Sequence, residues 1–72
     1  MDLYRKIHVK IRKEDAEKAQ EILDNLKEAG DIDDSYQSYW DKNTVEFAIA
    51  PIISDEIPMI INKLIDNGIR II

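Results

Sequence analysis

The sequence predicts a small two-layer α+β domain, a four-stranded antiparallel sheet with two helices on one face in the order βαββαβ. Three observations carry this expectation. Two short stretches alternate strictly between apolar and polar residues, two longer ones repeat their apolar residues every third or fourth position, and the two kinds of signal interleave along 72 residues. Strand side chains point to alternate faces, whereas a helix returns to the same face after about 3.6 residues, so neither pattern substitutes for the other.

The first strand is expected from about Leu3 to Arg12. Within it Lys6–Arg12 reads K-I-H-V-K-I-R, which places Ile7, Val9 and Ile11 on one face and Lys6, His8, Lys10 and Arg12 on the other. A helix follows, with Ala16, Ala19, Ile22, Leu23, Leu26 and Ala29 as its apolar stripe and Glu17, Lys18, Glu21, Asp24, Lys27 and Glu28 opposite. Asp15 is the expected N-cap, its carboxylate accepting from a free amide of the first turn. Gly30 occupies the left-handed position that commonly ends a helix.

From Ile32 to Trp40 the pattern is mixed: Ile32, Tyr36 and Trp40 share a parity with Asp34 and Ser38. An edge strand tolerates such polarity. Either Tyr39 or the Tyr36/Trp40 pair must then face away from the helices. Asp41-Lys42-Asn43 forms a hairpin turn. Thr44 to Ala50 alternates again, with Val45, Phe47 and Ile49 inward and Thr44, Glu46 and Ala48 outward, and Pro51, lacking an amide hydrogen, ends the run. The second helix is expected between about Asp55 and Asn67, with Ile57, Ile60, Ile61, Leu64 and Ile65 inward and Met59, Asn62, Lys63 and Asp66 outward. Pro58 fixes its first turn and makes Asp55 a better cap than Ser54. After Gly68, Ile69-Arg70-Ile71-Ile72 begins a last strand, and its abrupt stop suggests a boundary or truncation after Ile72.

That order is the split βαβ, or ferredoxin-like, arrangement, and residues 1–72 form a single domain of that kind. The first and third strands should be central neighbours, the second and fourth the edges. Fourteen isoleucines supply most of the apolar volume and favour a sheet. Without cysteine there is neither a disulfide framework nor a thiolate site, which fits the cytoplasm. No apolar run approaches the roughly 20 residues of a membrane span. The net charge of −5 repels phosphate backbones, so nucleic acid is an unsuitable partner.

Catalytic and metal chemistry find no support in the residues. An RNA-binding platform needs aromatics on both central strands, and the third offers Thr44, Glu46 and Ala48. The paired cysteines of metal-carrying relatives are missing, and Arg12-Lys13-Glu14-Asp15 has no glycine with which to cradle a phosphate or turn around an amino acid. His8 reads as a cross-strand partner of Glu46 rather than a ligand. Asp31, Asp33 and Asp34 lack the glycine and distal glutamate of a calcium loop. No cofactor, metal or small-molecule site is expected. What stands out is aromatic: Tyr36, Tyr39 and Trp40 are three of the chain's five aromatics and lie in one polar strand. With Tyr4, Lys6, His8, Lys10, Arg12 and Glu46 they define a candidate surface for a protein partner or self-association; the alternative for Trp40 is that it caps the core beside Phe47.

The stretch Ile53–Ile72, I-S-D-E-I-P-M-I-I-N-K-L-I-D-N-G-I-R-I-I, resembles the end of the small accessory domain that follows the nucleotide-binding core in some ABC transporter ATPases. R-K-I-H-V-K-I and D-A-E-K-A-Q-E-I-L are similar to that domain's first strand and helix. The resemblance implies a non-catalytic role in docking, dimer contact or regulation; with no G-x-x-x-x-G-K-[ST] loop, the chain is not itself an ATPase. A second likeness, through Tyr39-Trp40-Asp41-Lys42 ahead of T-V-E-F-A-I-A-P, is to carboxypeptidase pro-segments and implies an inhibitory folding module. The regular patterning, acid-first helices and terminal glycines also resemble a designed or redesigned ferredoxin-like scaffold with no ligand.

Overall fold

The computed structural model describes residues 6–72, and at position 54 the backbone alone. Strand β1 (Ile7–Arg12) passes through a 3-10 turn (Lys13–Asp15) into helix α1 (Ala16–Glu28); a hairpin follows, made of β2 (Ile32–Trp40) and β3 (Thr44–Pro51). A second 3-10 turn (Ser54–Glu56) leads into α2 (Ile57–Asp66). The sheet is antiparallel in the order β1-β3-β2. The part of the expected first strand from Leu3 to Arg5 lies outside the described residues.

The expected four-stranded βαββαβ sheet is not what forms: among the described residues there are three strands. Beyond Gly68, Ile69 is buried in the core and only Ile71 bridges Ile11, with the Ile72 amide donating to the Lys10 carbonyl at 2.8 Å. A single bridge is not a ladder, because a strand is stabilised by successive cross-strand pairs, and the four residues after Gly68 supply one. As a result β3 alone is paired along both edges. β1 is its neighbour, from Ile7↔Ile49 to Arg12↔Thr44, but borders the sheet instead of sharing its centre.

One layer of apolar contacts holds the helices to the sheet. Val9 and Ile11 of β1 and Val45, Phe47 and Ile49 of β3 pack with Ala19, Leu23 and Leu26 of α1 and Ile60 and Leu64 of α2. No charged or polar side chain is buried with them among the described residues. The α2 stripe is narrower than its sequence suggests. Ile60 and Leu64 are buried, but Ile65 is 52 % exposed, while Met59, expected on the wet face, packs partly against the core. A ten-residue helix crossing a three-stranded sheet offers it a narrow face, so the residue at the margin of the stripe falls outside.

Neither expected N-cap forms. Asp15 and Glu56 sit at the cap positions with helical dihedrals and no side-chain cap bond, and Asp55 lies within the preceding turn. The 3-10 turns supply the missing interactions through the backbone, with the Ala16 amide donating to the Lys13 carbonyl and the Glu56 amide to that of Ile53. Asp15 is also engaged elsewhere, its Oδ2 accepting from Nε and Nη2 of Arg12 at 3.2 Å each. The C-terminal glycines behave as expected. Gly30 (φ 83°) and Gly68 (φ 84°) are left-handed, and the amides of Asp31 and Ile69 reach back to the carbonyls of Leu26 and Leu64 in paired Schellman closures.

Candidate functional site

The helix-free face of the sheet is built by alternation on β1 and β3. Because Val9, Ile11, Phe47 and Ile49 face the helices, their neighbours Lys6, His8, Lys10, Glu46 and Ala48 face away. The register aligns these into rows across all three strands: His8–Ala48–Tyr36, and Lys10–Glu46–Tyr39. Ala48 is the hinge of the arrangement. Its methyl leaves room for the side chains on either hand and is itself almost fully covered.

Polar contacts knit the rows together. Lys6 Nζ donates to the Tyr36 hydroxyl at 3.1 Å and lies 5.0 Å from the centre of its ring. His8 Nδ1 lies 3.5 Å from Glu46 Oε1, and the Ser38 hydroxyl donates to the Glu46 carbonyl at 3.2 Å. Tyr36 and Tyr39 nonetheless keep 43 % and 57 % of their surface exposed. The result is two standing aromatic rings beside three basic side chains, with one carboxylate between them.

Three of the sequence-derived residues are not part of this set. Tyr4 lies outside the described residues. Arg12 shares the parity of Lys10 but its guanidinium turns toward the first 3-10 turn, where Nη1 meets Glu14 Oε1 at 3.1 Å and Nη2 meets Asp15. Trp40 stands on the opposite side of the sheet. The cause is a bulge: Gln37 pairs with Phe47 and Tyr39 with Glu46, so Ser38 is an extra residue and alternation is reset before Trp40 pairs with Val45. A second irregularity, between Ile32 and Asp34, makes Asp33 the extra residue near the strand's start.

The outer margin of β2 carries an electrostatic feature that alternation does not reveal. Asp34 Oδ1 accepts from Lys27 Nζ of α1 at 3.1 Å and from the Ser35 amide at 2.9 Å. The Lys27 hydrogen bond first, then the Ser35 amide and the Lys27 charge, hold this carboxyl below its ordinary value of 3.8. The aspartates at 31, 33 and 34 do not converge, and among the described residues no group of three or more acidic or histidine side chains is placed to hold a metal ion. No helix among them is long and apolar enough to cross a membrane. Comparison with known proteins returned no matching family model, no matching curated protein and no matching solved structure.

Proposed function

We propose that the chain is a non-catalytic interaction module that docks through the open face of its sheet. The observation that carries this reading is the pair of exposed tyrosines, Tyr36 and Tyr39, set among Lys6, His8 and Lys10 on a sheet face that no helix among the described residues covers. Tyrosine is over-represented where proteins bind one another, because a rigid ring gains contact area with little loss of rotamer freedom. The surface is locally basic in a chain whose net charge is −5, so it favours an acidic partner surface over a second copy presented face to face. The likeness of residues 53–72 to the accessory domain of ABC transporter ATPases supports the same kind of role.

The test is affinity capture with the wild-type chain and with a Tyr36→Ser/Tyr39→Ser variant of unchanged thermal melt, alongside light scattering over a concentration series. A partner, or a self-association, held by the wild type and lost by the variant supports docking through this face. Equal behaviour of the two proteins removes the proposal.

A further inference from the structure

On the side of the sheet opposite the tyrosines, a groove of about 710 Å³ runs between α1 and the distal end of the β2–β3 hairpin. Trp40 lines one wall with 59 % of its surface exposed, and Glu17, Glu21 and Asp24 of α1 line the other. Among the described residues, Lys13 is the one cation that lines it.

The tryptophan is held by its polar edge. Its indole Nε1 donates to Gln37 Oε1 at 2.8 Å; Gln37 Nε2 donates to Gln20 Oε1 at 3.4 Å, and Gln20 Nε2 to Asp24 Oδ1 at 2.9 Å. This chain ties the strand wall to the helix wall. It also satisfies the only hydrogen-bonding atom of the indole, so the recognition element left to Trp40 is its π-face, and tryptophan is the strongest aromatic partner of a cation.

Spacing defines the ligand further. Glu17, Glu21 and Asp24 fall at i, i+4 and i+7, one helix face spanning about 10 Å at roughly 1.5 Å per residue. They do not form a metal cluster, so their charge suits cations spread along a line. Alternate residues of an extended chain lie about 6.6 Å apart on one side, close to the axial step of about 6 Å from Glu17 to Glu21. We infer that this groove takes an extended basic segment of a partner protein, with arginine or lysine at alternate positions, one of them stacked on Trp40 and the others facing the α1 carboxylates.

Trp40 is the chain's single tryptophan, so its fluorescence reports the site. A blocked Arg-Ala-Arg-Ala-Arg peptide is titrated at low salt, with its citrulline and glutamate counterparts as controls. Amide NMR of the same samples locates the contact and follows variants that lack the indole. The expected result is a saturable, salt-sensitive change with a Kd below about 1 mM, and shifts confined to α1, Gln37 and Trp40. Trp40→Ala weakens it about tenfold, and Glu17→Gln/Glu21→Gln/Asp24→Asn removes most of its salt dependence. Tyr36→Ser/Tyr39→Ser leaves it unchanged, which separates this site from the open sheet face. No saturable response, equal binding of the citrulline peptide, or shifts centred on Lys6–Lys10 would overturn the inference.

Discussion

Tyr36 and Trp40 share a parity in the sequence and stand on opposite faces of the sheet. Ser38, the extra residue opposite Glu46, resets the alternation between them, and this one position distributes the aromatics between a basic face and an acidic groove.

Deleting Ser38 should leave both surfaces intact. Without it, Gln37, Tyr39 and Trp40 simply alternate in register with Phe47, Glu46 and Val45. The loss is the Ser38–Glu46 contact, worth about 1 kcal/mol. Urea denaturation should register a change of that size, and the Trp40 emission maximum should not move.

Leu64 and Ile65 are adjacent and should respond in opposite ways to truncation. Leu64 is fully buried, so Leu64→Ala should cost about 2–5 kcal/mol, a large part of the roughly 4–10 kcal/mol expected for a domain of this size. Ile65→Ala removes a half-exposed side chain and gains helix propensity, so its effect should stay within about 0.5 kcal/mol. Thermal melts of the two variants check the contrast.

Gly30→Ala and Gly68→Ala should each destabilise by about 1 kcal/mol, through the left-handed backbone and not through crowding. An added Cβ meets nothing within 4 Å at Gly30 and only Lys18 Nζ, at 3.9 Å, at Gly68. Asparagine, which tolerates this conformation, should cost less than alanine at both sites. Chemical denaturation of the four variants measures the difference.

The Asp34–Lys27 pair should leave a mark on the acid side of the stability profile. A carboxyl held below its ordinary value of 3.8 stabilises the fold fully above that pH, and the contribution disappears as pH falls through the lower folded value. Both side chains are exposed, so the effect should be small and screened by salt. Asp34→Asn should flatten this part of the profile, and Lys27→Met should do so less, because the Ser35 amide still holds the Asp34 carboxylate, as followed by melts between about pH 2 and 5.

The elements that the sequence made legible are those with a strict period. The K-I-H-V-K-I-R and T-V-E-F-A-I-A alternations and the α1 stripe each have one buried face, and a slip of register would expose it. Departures came where a local signal had a competitor. Asp15 had the composition of a cap, but Arg12 and the 3-10 turn claimed its position. Isoleucine density suggested a fourth strand at 69–72, but Ile69 entered the core and one bridge remained. Parity placed Lys6, His8, Lys10 and Glu46 on a common face of β1 and β3, but on β2 it separates Tyr36 from Tyr39, and only the bulge at Ser38 brings the two tyrosines to the same side. Parity groups Trp40 with Tyr36 and so cannot choose a face for it, since no residue type announces a bulge. Gln20 and Gln37, which orient the indole, carry no periodic signal at all.

The sheet order also ranks the strands by how far the chain must travel to form them. β2 meets β3 across the short Asp41–Asn43 turn, whereas β1 reaches β3 only after α1 and β2 have intervened. Closing a small loop costs less entropy than closing a large one, so the hairpin should organise the folding transition state and β1 should join late. Truncations in the hairpin core, such as Val45→Ala, should then mainly slow refolding, while Val9→Ala should mainly accelerate unfolding.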